Sequence, residues 1–384
     1  MQLGKMLDSA RNVGEPKPYL GNKAVQWGRI DLSAAGVVPM TRRDQIRFRL
    51  KANDLLVCEG GEVGRAAVWR ENLPECYYQK ALHRLRPKSG YDPIVMLGLL
   101  EYWASTNAFA DVVTQTSIAH LPREKFIQMP LPLIPRVEQN RLREVLDGIN
   151  SLVATLERLI GKKQAIYQGM RQQLLTGRTR LPGFDAAPWK TLQLLDLVSI
   201  KNGQVDPRRP EYRDLPLIAP DHVGSGTGRL LKVETAKAQG AISGKYLAAP
   251  GDIIYSKIRP YLQKAVRVNF PVLCSADMYP LTPKAKVDGG FVLHTLLSEQ
   301  FTKFVTSVSA RSGIPKVNRA ELAEFTLTVP DLSEQQAISA ALDQIDTQVL
   351  TLEKDLAKKK AVRQGMMQAL LTGRTRLPVE ERAA

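Results

Sequence analysis

The 384-residue chain has only three cysteines, Cys58, Cys76 and Cys274, an odd number without a close pair. This scarcity argues against a disulfide framework and is typical of proteins from a reducing compartment. The N-terminus lacks the basic start, long apolar run and small-residue cleavage site of a signal peptide. The most apolar stretch, around residues 94–100, is too short to cross a bilayer. These absences predict a cytoplasmic protein without a membrane segment.

Patterns that carry catalysis or hold metals are also missing. The histidines, His83, His120, His222 and His294, are scattered and form no Cys/His cluster with zinc-ligand spacing. The glycine-rich run at 224–228 lacks the spacing and the lysine of a phosphate-binding loop. We find neither the cofactor loop nor the [N/D]-P-P-[Y/F] motif of a methyltransferase, and no nuclease constellation. The sequence therefore predicts no catalytic site, no metal site and no cofactor bound by this chain.

Acidic residues are clearly fewer than basic ones, so the chain carries an excess of positive charge. There are 54 Lys and Arg against 38 Asp and Glu, which gives a formal net charge of +16. Residues 1–137 carry +6 and residues 181–333 carry +5, so the excess is spread over most of the chain. Such an excess favours a polyanionic partner, most commonly nucleic acid, although a basic surface can also serve solubility alone.

An internal repeat organises the sequence. The heptapeptide T-G-R-T-R-L-P occurs at Thr176–Pro182 and again at Thr372–Pro378, an offset of 196 residues. Extending both copies backwards at this offset pairs residues 138–139, Glu-Gln, with residues 334–335, also Glu-Gln. About 25 of the 45 paired positions are identical. The chain therefore contains a duplication.

Both copies of the repeat are expected to form long helices. Apolar residues alternate at spacings of four and three, which favours coiled-coil packing. The predicted seam comprises Leu142, Leu146, Ile149, Val153, Leu156 and Ile160 in the first copy, and Ile338, Leu342, Ile345, Val349, Leu352 and Leu356 in the second. Asp331 or Ser333 could cap the second helix, and Gly177 and Gly373 are natural stops.

These signals place a central helix at 138–180 and a C-terminal helix at 334–376, each a rod of roughly 60 Å. We expect the two to pair antiparallel within one molecule, because neither can bury its seam alone. A plain helical hairpin inside a larger core is the alternative.

The segments between the helices are duplicated more weakly. Residues 48–64 resemble residues 246–262, each with an aspartate, Asp54 or Asp252, before a short strand that should be buried. Residues 116–126 likewise parallel residues 312–322. The expected fold is α+β: mixed α/β domains at 1–137 and 181–333, separated by the two long helices and followed by a tail at 377–384.

This organisation resembles the specificity subunits of type I restriction-modification systems. The residues that carry the resemblance are L-L-T-G-R-T-R-L-P at 174–182 and 370–378, Q-G-M at 168–170 and 364–366, and the Glu-Gln start of each repeat. The resemblance covers essentially the whole chain, and the helix-terminal motif is specific because it occurs twice, one globule apart.

The resemblance implies a function. Each globule would be a target-recognition domain that reads one half of a split double-stranded DNA site. The helices would set the spacing and dock two modification methyltransferase subunits, and motor-nuclease restriction subunits would join. The chain itself would be non-catalytic, with S-adenosylmethionine, ATP and Mg on the partner subunits. A coiled-coil scaffold that binds protein, a fragment of a fused restriction enzyme and a methylation-only system are the alternatives.

Candidate DNA contacts are basic and polar residues in loops between strands, weighted to positions that the two globules share. Each could instead be a solvated surface residue. The predicted contacts are Arg65, Lys80, Thr116, Ser117 and His120 in the first globule, and Lys257, Arg259, Lys264, Arg311, Ser312 and Lys316 in the second.

The two globules open differently. The second begins with P-W-K-T-L-Q-L-L-D-L-V at 188–198, whereas the first begins with M-Q-L-G-K-M-L-D and has no tryptophan-containing lead-in. A translation start upstream of Met1 is one hypothesis, and a naturally shorter globule is the other. The intact mass of the native protein distinguishes them.

Overall fold

A computed structural model describes residues 1–8, 12–87, 90–110, 112, 114–115, 119–184, 188–309 and 313–378. The chain divides into two compact units. Unit 1 comprises Met1–Arg158 and the chain from Glu353 onward, and unit 2 comprises Leu159–Leu352. Each unit therefore contains one globule together with parts of both repeat helices, so the units cut across the five segments predicted from the sequence.

Unit 1 contains two larger sheets, of four and three strands, together with two isolated strand pairs and short helices. Its strands are β1 (Gln2–Leu3), β2 (Glu15–Leu20), β3 (Val25–Gln26), β4 (Arg29–Ile30), β5 (Gly36–Met40), β6 (Leu55–Cys58), β7 (Ala66–Val68), β8 (Tyr77–Tyr78), β9 (Leu82–Leu85), β10 (Thr114–Gln115) and β11 (Ala119–His120). Its short helices are α1 (Arg42–Phe48), α2 (Pro93–Ser105) and α3 (Arg123–Ile127). One sheet has the order β1-β9-β6-β7 and is antiparallel, and the other has the order β5-β2-β8.

Unit 2 has the same kinds of element. Its strands are β12 (Lys190–Gln193), β13 (Val198–Ile200), β14 (Leu217–Ile218), β15 (Tyr246–Ala248), β16 (Ile253–Ser256), β17 (Ala265–Arg267), β18 (Val272–Cys274), β19 (Met278–Pro283) and β20 (Thr326–Val329). Its short helices are α5 (Leu194–Leu197), α6 (Gly289–Leu296), α7 (Glu299–Val308) and α8 (Arg319–Ala323). The sheets have the orders β13-β19-β16-β17 and β14-β18-β15, and β12 pairs with β20.

The weak duplication of the globules is visible in their topology. The four-stranded sheets correspond strand by strand, and in both second sheets one strand pair is parallel, β2 with β8 and β14 with β18. The third strand differs, because β5 pairs with β2 in unit 1 whereas β15 pairs with β18 in unit 2. The two globules thus share one frame but carry an edge strand on opposite sides of the parallel pair.

The predicted aspartate turns have the same structure in both units. The Asp54 carboxylate accepts a hydrogen bond from the Lys51 amide at 2.8 Å, and the Asp252 carboxylate accepts one from the Ala249 amide at 2.7 Å. The strands that follow, β6 and β16, are completely buried. These turns place the central strand of each four-stranded sheet.

The repeat forms two long helices, α4 (Arg136–Leu175) and α9 (Leu332–Leu371). In unit 1, Lys360 bonds Glu157 at 2.7 Å and Arg363 bonds Asn150 at 2.5 Å, so residue numbers rise along one helix as they fall along the other. In unit 2, Lys163 bonds Gln348 at 2.8 Å in the same sense. Every residue of the predicted seam is buried or half-buried. The antiparallel coiled coil is confirmed within each unit.

Both helices end earlier than the predicted residues 180 and 376. They end at Leu175 and Leu371, and the T-G-R-T-R segments that follow form turns. Gly177 and Gly373 have positive φ angles of 68° and 74°, a conformation that only glycine adopts without strain. The chain therefore reverses at these glycines, and the arginines beyond them fold back.

Each of these arginines bonds the glutamate that opens the other repeat. Arg180 forms a bidentate pair with Glu334, with distances of 2.8 and 2.7 Å, and Arg376 pairs with Glu138 at 3.2 and 2.6 Å. Trp189 also donates its indole N–H to Glu334 at 3.0 Å. The most repeated motif in the sequence thus joins the end of each long helix to the start of the other.

The glutamine next to each glutamate fastens the helix to its globule. The Gln139 amide oxygen accepts from the Asp92 backbone N–H at 2.7 Å, and the Gln335 oxygen accepts from the Asp288 N–H at 2.9 Å. Asp92 and Asp288 cap α2 and α6, so the contact fixes one helix of each globule against the repeat. Of the two predicted caps of α9, Asp331 is the one that bonds, since it accepts from the Glu334 amide at 2.9 Å.

The two arginine–glutamate pairs differ in burial, which gives a testable difference. Glu334→Ala should cost roughly 3 kcal/mol of stability, because it leaves a shielded guanidinium and an indole N–H without their acceptor. The Glu138→Ala variant is the matched control. Its loss should be clearly smaller, because the Arg376 side chain is 68% exposed whereas that of Arg180 is 19% exposed. Urea unfolding of both variants measures the difference, and equal losses would contradict this account.

Candidate nucleic-acid interface

The described members of the predicted DNA contacts of unit 1, Arg65, Lys80 and His120, lie at or beside the loop that joins β6 to β7. The Cys58 amide bonds the Arg65 carbonyl at 2.7 Å and closes this loop. Glu59 then holds two neighbouring segments, since its amide donates to Ala81 at 3.0 Å and its carbonyl accepts from Leu121 at 2.7 Å. The β6–β7 loop, the turn before β9 and the segment before α3 therefore meet at one place.

Unit 2 repeats this backbone arrangement in the loop that joins β16 to β17. The Ser256 amide bonds the Lys264 carbonyl at 2.9 Å. Lys257 donates to the Asp277 carbonyl at 3.0 Å and accepts from the Val317 amide at 2.9 Å. A β-bridge between Ile258 and Lys316 matches the one between Gly60 and His120 in unit 1. The two sites thus share one hydrogen-bonded frame.

The side chains on the shared frame differ in charge and size. Lys257 stands where unit 1 has Glu59, and Lys316 stands where unit 1 has His120. Backbone hydrogen bonds do not depend on the side chain, so the frame holds while the surface changes. An arrangement of this kind can present different chemistry from equivalent positions.

The site in unit 2 is a cluster of cations around one aromatic ring. The Lys257 ammonium lies 5.1 Å from the centre of the Tyr279 ring, and the Arg319 guanidinium lies 5.4 Å from it. Partial burial lowers the pKa of Lys257, and the charges of Lys316 and Arg319 lower it further. A cluster whose members repel one another is stabilised by an incoming anion.

Arg319 was not among the predicted contacts. It follows the helix cap Asn318, and it donates to the Lys201 carbonyl at 2.9 Å and to the Asn202 side chain. A signal was present in the sequence, because Arg123 occupies the same place in the parallel segment of unit 1. The repeat offset of 196 residues relates the two arginines.

The other predicted contacts of unit 2 differ in whether their side chains are free to contact DNA. Arg259 is exposed beside the cluster and has a φ of 48°, and its amide bonds Pro315 at 2.8 Å. The Lys264 ammonium instead turns back to the Pro220 carbonyl at 2.5 Å. Arg311 and Ser312 lie outside the described residues. The structure therefore brings Lys257, Arg259 and Lys316 together and directs Lys264 to the protein.

In unit 1 the predicted contacts are similarly divided. Arg65 bonds Glu62 at 3.1 Å and the Asn22 carbonyl at 2.9 Å, so its guanidinium braces the loop. His120 and Lys80 are exposed at the edges of the same loop. Thr116 and Ser117 lie outside the described residues. His120 and Lys80 are thus the described candidates that face solvent.

The arrangement of cations can bind an anion, and the described residues offer neither a metal site nor a membrane-spanning helix. Among the described residues, no group of three or more His, Cys, Asp and Glu side chains is placed to hold a metal ion. The described helices include none that is both long enough and apolar enough to cross a membrane.

Comparison with known proteins bears on the family. Residues 187–362 match the family model described as the type I restriction modification DNA specificity domain. The specificity subunit of the type I restriction enzyme EcoDI from Escherichia coli is 27% identical over 311 residues, which cover 73% of this chain and 70% of that protein. This chain is therefore similar to type I specificity subunits along most of its length. The resemblance drawn from the two helical repeats is confirmed.

Two solved structures have the same fold as this chain. The type I restriction-modification system S subunit from M. genitalium aligns over 96% of this chain and 92% of its own, with a TM-score of 0.61 and 14% identity. A chain from a structure of type I R-M complex assembly aligns over 97% of this chain and 95% of its own, with a TM-score of 0.55 and 17% identity. The predicted α+β class with two mixed domains and long helices is confirmed.

In unit 1 a buried histidine, His83, is hydrogen-bonded to the backbone of the loop frame. The buried His83 ring bonds the Leu121 carbonyl through Nε2 at 2.9 Å. Burial is the main cause of its lowered pKa, opposed by that bond and by Glu59 and Glu124 and reinforced by Arg123. The folded chain therefore resists the protonation that the unfolded chain accepts.

Acidification should destabilise unit 1 through His83. The unfolded imidazole gains its proton near pH 6.5, so stability that is present above that value is lost as the pH falls through it. The His83→Gln variant keeps an N–H donor for Leu121 but does not titrate. Unfolding free energies measured at pH 7.5 and pH 5.5 should fall less for the variant than for the wild type, and parallel losses would exclude His83 as the sensor.

Proposed function

We propose that this chain is the sequence-reading subunit of a type I restriction-modification complex and that each globule reads one half of a split DNA site. The observation that carries the proposal is the hydrogen-bonded loop frame, built twice with different side chains. Two readers on one frame suit an asymmetric site, because equivalent positions then present different groups to the bases.

The charges near each loop support a DNA ligand over a protein ligand. Lys257, Arg259, Lys316 and Arg319 converge in unit 2, and the basic excess is present in both globules. Phosphate contacts by such residues supply affinity, while side chains that reach base edges supply specificity. Arginine is the strongest candidate for reading guanine, since it can bond O6 and N7 together.

The remaining parts of the proposal concern partners. We infer that two methyltransferase subunits dock on the paired helices, that motor-nuclease subunits join, and that this chain is non-catalytic. S-adenosylmethionine, ATP and Mg would then act on the partner subunits. The similarity to type I specificity subunits supports these inferences, and so does the absence of recognisable catalytic motifs from the sequence.

The decisive experiment is single-molecule methylome sequencing of the host with and without this gene. We expect one split, asymmetric adenine motif to lose its methylation when the gene is deleted. Persistence of every motif, with the partner methyltransferase expressed, would contradict the proposal and would favour a scaffold. The same experiment yields the recognised sequence.

Because the cation cluster lies in unit 2, its side chains should contact only one half-site of the DNA. Lys316→Ala should weaken duplex binding and lower the slope of log affinity against log salt by about 1, because one phosphate contact is lost. Lys232→Ala is the matched control, since that lysine side chain is 89% exposed and lies outside the loop frame. Fluorescence anisotropy at several salt concentrations measures both variants, and identical slopes would remove Lys316 from the interface.

Helix length should set the separation of the half-sites. Inserting one helical turn into both α4 and α9 would lengthen the pair by about 5 Å. We expect methylome sequencing to show both half-sites unchanged and only their spacing altered. A change within either half-site would contradict the role of the helices as the spacer.

A further inference from the structure

A pocket of about 650 Å³ in unit 2 lies apart from the loop frame. It is bounded by the last turns of α4, the first turn of α7 and the strands β12 and β20. Its walls are rich in hydroxyl, amide and basic groups. The side chains that matter here are Gln168, Arg171, Arg178, Ser298, Glu299 and Lys303.

The unusual member of this pocket is Arg171, which is only 4% exposed. Its guanidinium lies 5.3 Å from the centre of the Tyr167 ring, and Nη2 donates to the Gln168 amide oxygen at 2.7 Å. Among the described residues, Nη1 has no hydrogen-bond partner. Burial lowers the pKa of this guanidinium, while Tyr167 and the charge of Asp346 oppose that shift. A buried arginine is normally bonded to a carboxylate, but the Asp346 carboxylate forms its ion pair with Arg229, at 2.7 Å.

The internal repeat shows that packing alone does not require this charge. Residues 168–182 and 364–378 are identical except at two positions, and Met367 stands where the first copy has Arg171. Met367 is 5% exposed and lies in the apolar core of unit 1. A buried position that accepts methionine in one copy carries a costly cation in the other, which indicates a ligand for the charge.

A second feature of the pocket also favours an anion. Helix α7, ten residues long, begins at this pocket, which is lined by its cap Ser298 and by Glu299 and Gln300 of its first turn. The Ser298 hydroxyl accepts from the Phe301 amide at 3.2 Å, so that N–H is already capped. The N-terminus of a helix presents unpaired N–H groups and a positive dipole end. Lys303 lies one turn further along, in an ion pair of 2.6 Å with Glu299. The helix end and the buried guanidinium thus line the same space.

We propose that this pocket binds the carboxylate of an acidic side chain presented by a protein partner. The identity of that partner as the methyltransferase subunit rests on the proposed function. A carboxylate would displace the Gln168 amide and accept two parallel N–H bonds from Arg171, the geometry in which arginine binds carboxylates most strongly. The neutral acceptor of the free chain would be exchanged for a charged one.

The shape of the site favours a protein side chain over the DNA backbone. The guanidinium is shielded beneath the pocket, and a rigid duplex cannot insert one phosphate that far. The Glu299 carboxylate at the pocket would repel the many phosphates along a DNA strand. Its ion-pair partner Lys303 offsets that repulsion for a ligand that carries a single carboxylate. A flexible acidic side chain meets both conditions.

The test uses the full-length chain and two probes. Glutarate, which mimics a glutamate side chain, is titrated calorimetrically into the wild type and into Arg171→Met, which copies the residue of the other repeat. Arg158→Met on an exposed part of the same helix is the matched control. Lys303→Gln changes an exposed residue of the pocket and so tests the site without disturbing the core. Affinities for the purified methyltransferase subunit and for duplex DNA are then measured for each variant.

We expect Arg171→Met to abolish glutarate binding and to weaken methyltransferase binding about tenfold or more, with a smaller loss for Lys303→Gln and none for Arg158→Met. Unchanged methyltransferase affinity in Arg171→Met and Lys303→Gln would overturn the proposal and leave Arg171 as a cation that stacks on Tyr167. A loss of DNA affinity alone would overturn it in favour of a phosphate ligand. Failure of the wild type to bind any specific duplex would count against the proposed function only, because glutarate binding does not depend on it.

Discussion

The arrangement of each unit depends on the ion pair between the end of one repeat helix and the start of the other. Glu334 is almost completely buried and holds Arg180, while its neighbour Gln335 holds the backbone of Asp288 in the globule. One dipeptide therefore holds the coiled-coil partner and helix α6 of the globule together. The same contacts occur at Glu138 and Gln139, so the duplication of the sequence is a duplication of this junction. A buried pair of this kind contributes more to register than to net stability, because desolvation offsets much of its attraction.

Equivalent positions of the two long helices carry different side chains where they contact the globules. Where α9 carries Arg363, bonded to Glu101 and Asn150, the equivalent position of α4 carries Tyr167, bonded to His294. Burial raises the pKa of Glu101, and the charge and hydrogen bond of Arg363 oppose that rise. The contacts at the start of each long helix are repeated, whereas the polar contacts further along, at Arg363 and Tyr167, are not. Each globule can therefore change its surface and its anchoring without disturbing the junction that positions it.

Much of the architecture follows from the sequence because the repeat is long and periodic. The spacing of apolar residues predicts the seam, and the two copies predict the antiparallel pair. The helix ends could not be placed to the residue, since basic T-G-R-T-R suits both a last turn and a fold-back. The DNA contacts were harder, because a sequence does not show which cations the protein itself engages. Arg65 and Lys264 are bonded to their own unit, while Arg319 is brought in by the fold.

Unpaired cations connect the stability of this chain to its ligands. A net charge of +16 opposes compaction, and the cluster at Lys257 adds local repulsion to the cost of partial burial. An anion that binds only the folded chain raises the free energy of unfolding. The increase grows with the logarithm of the anion concentration divided by its dissociation constant. DNA at the loops and a carboxylate at Arg171 would act at separate places, so each would stabilise the fold without replacing the other. On this proposal the subunit would be most stable when both ligands are bound, because each would neutralise positive charge that the folded chain holds close together.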